Sequence, residues 1–134
     1  MIRIVIDTNV IVSGILNPAG APGRMLATIF TGRCLLLYDT RIMQEYRAVL
    51  HRPKFGFNTK EIDIVLDFLA DQGECIIAAP GKIILPDHND IPFLEVAHTG
   101  RADALVTGNR KHFPAKLCKP IKIYSAPEFI QQVY

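Results

Sequence analysis

The chain is 134 residues long, 49% hydrophobic and 21% charged, with 15 Lys or Arg against 13 Asp or Glu. A chain of this size can bury a real core but leaves no room for a second domain, so residues 1–134 are expected to fold as a single unit. No apolar run approaches the roughly 18 residues a membrane span needs and the start lacks the pattern of a secretion signal, so a cytoplasmic protein with no membrane partner is expected.

In chain order, Ile4, Val5 and Ile6 are consecutive and β-branched rather than alternating with polar residues. That predicts a first strand covered on both faces, as in the middle of a parallel sheet. The strand ends on Asp7, and in open parallel sheets the carboxyl ends of the strands border the ligand crevice. Residues 10–16 are expected to form a short helix, broken by a Pro- and Gly-rich loop over 17–23, with a second helix over 24–31 stopped by Gly32. Residues 34–38 read as a buried second strand. Asp39 or Thr40 can cap the next helix, whose Ile42, Tyr46, Val49 and Leu50 recur at helical spacing until Pro53, with Glu45 near its start. Asn58 and Glu61 have capping-box spacing ahead of an amphipathic helix through Ile62, Val65, Leu66 and Leu69, closed by Gly73. A third strand is expected over 74–79, then a loop over 80–89 carrying Asp87, with Asp90 at its end. Phe93, Leu94 and Ala97 share the inner face of a helix ended by Gly100, while Glu95 falls opposite and is expected to be solvated. Residues 104–107 read as a short fourth strand between Asp103 and Asn109, residues 119–124 as a fifth, and 127–134 as a terminal helix. Cys34, Cys75 and Cys118, odd in number and set in apolar segments, read as reduced core residues. Strands and helices alternating throughout predict a three-layer α/β/α domain with a mainly parallel five-stranded sheet.

The acids form a pattern on this frame. Asp7 follows the first strand, Glu45 lies one turn into the helix after the second, Asp87 and Asp90 precede a helix, and Asp103 and Asn109 bracket the fourth strand. Carboxylates gathered at one sheet edge repel each other unless a cation neutralises them, and hard divalent cations take carboxylate oxygens together with substrate phosphate. The arrangement points to metal-assisted phosphoryl chemistry. From Arg101 onward there are six Lys or Arg against two acids, and nine against eleven before it. A basic flank beside an acid cluster suits a polyanionic substrate approaching bound cations, with Lys111, His112 and Lys116 placed to track a phosphate backbone. A solvated surface of mixed sign accounts for the charge alone equally well.

The residues Asp7-Thr8-Asn9 after a hydrophobic strand, the acid Glu45, the segment Asp87-His88-Asn89-Asp90-Ile91-Pro92-Phe93-Leu94-Glu95-Val96-Ala97 and the segment Ala102-Asp103-Ala104-Leu105-Val106-Thr107-Gly108-Asn109 together resemble the PIN domain. Within that family the resemblance is to small prokaryotic single-domain members of the VapC-like group, over essentially the whole chain. It implies a metal-dependent endoribonuclease using Mg²⁺ or Mn²⁺ on an RNA substrate, often a homodimer, and often a toxin silenced by an antitoxin peptide in the acidic pocket. Asp7, Glu45 and Asp90 are the implied metal ligands, with Asp103 as a supporting catalytic acid. Thr8 or Asn9 can bind a phosphate oxygen at the helix N-terminus after Asp7, and Thr107 and Asn109 complete the candidate substrate-binding set. In-line attack would leave a 5′-phosphate and a 3′-hydroxyl. One position departs from the family: an Asp is common where Asn109 stands, and an amide oxygen lacks the charge that favours a second ion.

Each residue also has a plainer reading. Asp7 can be a helix cap, Glu45 a partner of Arg41 one turn earlier, Asp87 a loop residue, and Asp103 a partner of Arg101. Glu95 and His98 have the spacing of a di-iron helix, but no second such helix exists in the chain. His88 can reach the site through Asp87, whereas His51, His98 and His112 read as surface residues. A haloacid dehalogenase phosphatase needs a second Asp where Asn9 stands, and a receiver domain needs one at the end of the third strand, where Ala78-Ala79-Pro80 stands. The remaining alternative is a catalytically weak PIN-like module that binds RNA or a protein, motivated by Asn109.

Overall fold

The computed structural model describes residues 1–133. Strands β1 (Ile2–Ile6), β2 (Cys34–Tyr38), β3 (Glu74–Cys75), β4 (Ala104–Val106) and β5 (Lys122–Tyr124) form one five-stranded sheet in the order β3-β2-β1-β4-β5, with every pairing parallel. Helices α1 (Thr8–Leu16), α2 (Ala21–Phe30), α3 (Thr40–Leu50), α4 (Thr59–Gln72), α5 (Ile91–Thr99), α6 (Ala115–Cys118) and α7 (Ala126–Val133) flank the sheet, giving the expected α/β/α layering. Ile4, Val5 and Ile6 are fully buried, so the branched run does take the central place that can cover both of its faces.

The strand order reverses at β1. The chain runs outward through β2 and β3, then returns to the other side of β1 for β4 and β5. Ile6 pairs with Val106, so Asp7 and Thr107 leave the sheet side by side. The Asp7 N–H donates to the Val106 carbonyl at 2.8 Å and the Thr107 N–H to the Tyr124 carbonyl at 2.9 Å. Connections diverging on either side of such a reversal leave a crevice at the carboxyl ends of the strands.

Three side chains fix the helices that reach this edge. Asp7 caps α1, Asp39 caps α3 through the Ile42 N–H at 2.9 Å, and Asn58 caps α4 through the Glu61 N–H at 3.1 Å. The buried Tyr46 of α3 donates its hydroxyl to the Ile6 carbonyl, which locks α3 against the end of β1.

Several boundaries differ from the sequence reading. Helix α2 begins at Ala21, with Pro22 in its first turn, where a missing N–H leaves no bond unmade. Gly23 is required there, because a Cβ would lie 2.1 Å from the Pro18 carbonyl oxygen. Strand β3 stops at Cys75: it is the sheet edge with both residues exposed, and after the Ile76 N–H bonds the Tyr38 carbonyl at 2.7 Å the chain leaves the ladder. Cys75 is therefore exposed, whereas Cys34 and Cys118 are buried as expected. Residues 115–118 wind into α6, so the fifth strand starts at Lys122 instead of residue 119. The predicted end of the last helix at Tyr134 lies outside the described residues. Glu95 is buried, not solvated, because the irregular chain after β3 folds over its side of α5 and donates the Gly81 N–H to it at 3.1 Å. Among the described residues no helix is long and apolar enough to cross a membrane.

Candidate functional site

The end of β1 delivers Asp7 to the crevice with both of its oxygens already oriented. Oδ1 accepts the Thr8 N–H at 2.8 Å and Oδ2 accepts the Thr107 hydroxyl at 2.7 Å. Burial raises the proton affinity of this carboxyl, the two hydrogen bonds oppose that, the nearby Glu45 raises it further and His112 lowers it. Glu45 comes from the first half of α3, held over β1 by its neighbour Tyr46, and accepts the Thr8 hydroxyl. Asp90 arrives from the turn that opens α5 and is 8% exposed. Its pKa is pushed up to about 6, first by burial, then by Asp7, against the pull of His112, with Asp87 and Glu45 adding to the rise. Asp7, Glu45 and Asp90, drawn from three separate elements, therefore share one electrostatic environment at the reversal point of the sheet.

Asp103 does not join them. It precedes a parallel strand, so it sits at the opposite edge of the sheet, about 13 Å of strand away from Thr107 at 3.3 Å per residue. There its Oδ2 accepts the Arg3 N–H at 2.8 Å and its own N–H donates to the Arg3 carbonyl at 2.7 Å, which ties the start of β4 to β1. The expectation that it supports the catalytic acids is corrected on that ground.

The four candidate substrate-binding residues are occupied with holding the site together. Thr8 and Thr107 are buried, and their hydroxyls go to Glu45 and Asp7. The Asn9 Oδ1 accepts the Gly108 N–H at 3.1 Å, and the Asn109 Oδ1 accepts the Lys111 N–H at 3.2 Å, capping a short turn over Arg110–His112. A depression lined by Asn9, Ser13, Thr107, Gly108 and Ser125 lies beside Asp7, whose carboxylate Thr107 holds.

Arg41 leaves Glu45 alone. It pairs instead with Asp39 at 2.7 Å and with the buried Glu95 at 2.8 Å, so the plainer reading of Glu45 fails. Asp87 is more than a loop residue: it caps the turn before α5 through the Asn89 N–H at 2.9 Å, and donor atoms of Asp87, Asp90 and His112 lie within 4.8 Å of one another. His112, read from sequence as a surface residue, places Nδ1 2.9 Å from Asp90 Oδ2, while His88 is exposed. No spacing in the sequence marks His112, because its approach depends on the turn that Asn109 caps.

A profile of the PIN domain matches residues 3–111. The chain belongs to the PIN domain family. It is 30% identical over 112 residues to the uncharacterized protein MJ1680 of Methanocaldococcus jannaschii, covering 81% of this chain and 72% of that one. It also superposes on a chain in the crystal structure of VapBC2 from Rickettsia felis bound to a DNA fragment from their promoter, with a TM-score of 0.64 and 16% identity over 91% of this chain and 97% of the other. At that identity the likeness is one of fold. PIN domains are generally nucleases and typically use divalent metal ions. The donors in this PIN domain fit such an ion: Asp7, Glu45 and Asp90 offer hard carboxylate oxygens, and the buried Oδ2 of Asp90 has the His112 ring nitrogen beside it but no aligned hydrogen bond.

Proposed function

We propose that this PIN domain, folded as a single unit over residues 1–134, is an endoribonuclease that requires Mg²⁺ or Mn²⁺ and leaves 5′-phosphate and 3′-hydroxyl ends. The observation that carries the reading is the convergence of Asp7, Glu45 and Asp90 at the reversal point of the sheet, with burial first and then the neighbouring acids raising the Asp90 pKa to about 6. A carboxyl group in that state gives up its proton to solvent when a cation takes its oxygen.

Asp7, Glu45 and Asp90 are the residues that would hold the metal. A bound divalent cation supplies Lewis acidity toward a phosphate oxygen and readies water for in-line attack. The Thr8 and Thr107 hydroxyls keep the carboxylates aimed into the crevice. The N-terminus of α1, which follows Asp7 directly, and the exposed Lys111, two residues after Asn109, favour an anionic backbone.

The proposal extends to cytoplasmic action as the toxin of a toxin-antitoxin pair, as a homodimer, with an antitoxin protein covering the acids. Support comes from the PIN family match and from a fold shared with a chain of the VapBC2 complex.

Mn²⁺ and Mg²⁺ titration by calorimetry on the wild type and Asp7→Asn, followed by incubation with a structured RNA pool, tests the reading. Metal binding and metal-dependent cleavage with 5′-phosphate products, both lost in Asp7→Asn, are expected. A wild type that binds neither ion would sink the mechanism. Asn109 favours one second reading, a weakly catalytic module that binds RNA or a protein partner; it predicts RNA binding without Mn²⁺-dependent cleavage in a single-turnover assay.

A further inference from the structure

We infer that the groove lined by residues 79–84, α5 and α6 carries a single strand of RNA away from the acids, with Lys82 of the irregular chain and Lys116 of α6 each holding a phosphate. The part the groove plays in cleavage rests on the nuclease reading, while its binding of RNA can be measured without cleavage.

Each of the three segments that build the groove also leads to the acids. Helix α5 begins directly after Asp90 and contributes Glu95, His98 and Thr99. At 1.5 Å per residue those positions lie about 7–14 Å along the helix from Asp90. The irregular chain after β3 contributes residues 79–84 and runs on into Asp87. Helix α6 contributes Lys116 and Leu117, and it starts three residues after His112, whose ring nitrogen is 2.9 Å from Asp90. A strand leaving the acids along α5 therefore enters this groove.

The groove is held open by bonds to α5. The Ala79 N–H donates to the Thr99 hydroxyl oxygen at 3.1 Å and the Gly81 N–H to Glu95 at 3.1 Å, while His98 Nε2 lies 3.3 Å from the Cys118 carbonyl at the end of α6. The space between is about 670 Å³, inside the range of about 300–1,000 Å³ usual for ligand clefts. A double helix of RNA is read across a face of about 16 base pairs, so a cleft of this size suits one strand.

Charge decides the occupant. Lys82 and Lys116 are exposed, and neither side chain has an ion pair or hydrogen bond among the described residues. Arg3, Arg41, Arg47 and Arg110, by contrast, each hold a carboxylate. The acid in the groove, Glu95, is buried and already answered by Arg41 at 2.8 Å and by the Gly81 N–H, so it does not repel an anion. Residues 110–122 carry Arg110, Lys111, Lys116, Lys119 and Lys122 without an acid. Ile84 and Leu117, 78% and 43% exposed, offer apolar surface between the two lysines' charges. Unpaired cations interleaved with apolar side chains match a chain that alternates phosphates with sugars and bases.

The test uses the full chain in EDTA with a fluorescent, unstructured oligouridylate, read by anisotropy over a range of salt, and steady-state cleavage in Mn²⁺ as a second readout. Lys82→Ala and Lys116→Ala should each weaken binding about 3–10-fold and flatten the slope of log affinity against log salt by about 0.7. Lys60→Ala, on α4, should change neither. In Mn²⁺ the two groove variants should raise KM and leave kcat unchanged. Ile84→Glu, which sets a negative charge at an exposed position of the groove, should weaken binding as well, and a blunt RNA duplex should bind less tightly than the single strand. Unchanged affinity and slope in the Lys82→Ala/Lys116→Ala double variant, an equal loss in Lys60→Ala, or a duplex that binds as tightly as the single strand would each overturn the inference. An Ile84→Glu protein that keeps its RNA affinity but changes mass in light scattering would assign the groove to a second copy of the chain and overturn it too. Cleavage lost in Asp7→Asn together with a KM indifferent to both lysines overturns this inference and leaves the nuclease reading standing. RNA held through the two lysines by a protein that cleaves none supports the groove and overturns the nuclease reading.

Discussion

Replacing Asp90 with Asn should stabilise the metal-free protein at neutral and alkaline pH, although it removes a residue the proposed chemistry needs. The carboxyl titrates near 6 in the folded chain against an ordinary 3.8. At about 1.4 kcal/mol per unit, the folded state loses about 3 kcal/mol when this group must ionise. The sign follows from proton counts: between pH values of about 4 and 6 the unfolded chain has released the proton while the folded chain still holds it, so stability falls as pH rises through that window and stays lower above it. Asparagine never ionises and escapes the loss. Some of the gain is returned, because the amide must be accommodated in a buried site and the attraction to His112 disappears. A net gain of about 1–2 kcal/mol, or a rise of about 3–8 °C in Tm, is expected in EDTA at about pH 8. Near pH 4 the two proteins should differ least.

Thermal melts across that pH range, with EDTA and then with Mn²⁺, check the reasoning. Saturating Mn²⁺ should reverse the order, since a ligand at a hundred times its Kd adds about 2.7 kcal/mol to a protein that binds it and nothing to one that does not. A less stable Asp90→Asn protein at about pH 8 in EDTA, or a gain as large at pH 4 as at pH 8, would refute the account of Asp90 as a strained carboxylate.

Three further substitutions separate the site from its surroundings. Asp103→Ala should leave RNA cleavage unchanged and cost about 1 kcal/mol in urea melts, the worth of its bond to the Arg3 N–H at the far edge of the sheet. Tyr46→Phe should cost about 1–2 kcal/mol by leaving the Ile6 carbonyl without its hydroxyl donor, and should lower cleavage because Glu45 rides on the same turn of α3. Glu95→Ala should cost about 1–3 kcal/mol, the lower part of that range applying because Arg41 is half exposed and keeps Asp39, while Mn²⁺ binding persists and hydrogen exchange at the Gly81 N–H accelerates.

The sheet and its central acid were legible because both are set by short-range pattern. A branched run buried on two faces can only be a central strand, and the residue that ends it can only face the crevice. The same rule speaks against Asp103, which precedes its strand and so belongs to the opposite edge. Glu95 was misread because helical periodicity describes one helix and ignores what covers it: the Gly81 N–H comes from a segment with no regular structure to predict. The Arg41–Glu45 pairing was plausible from spacing alone, but Arg41 gains more from two carboxylates, Asp39 and Glu95, than from the single Glu45, which accepts the Thr8 hydroxyl. His112 was invisible for a related reason, since a contact made across a capped turn leaves no periodic trace.

The way the acids are held bears on what they are for. Asp7 and Glu45 each receive a hydroxyl, from Thr107 and Thr8, and no Lys or Arg ion pair with either occurs among the described residues. A cationic partner would lower their proton affinity and relieve Asp90, making the fold more stable. It would also cancel the negative charge that attracts a metal. A neutral donor fixes the direction of a carboxylate while leaving its charge uncompensated. The arginines of the same region are committed elsewhere, Arg41 to Asp39 and Glu95 and Arg110 to Glu128. The crevice thus keeps a deficit of positive charge at a cost in stability, and a divalent cation is the partner whose binding offsets both at once.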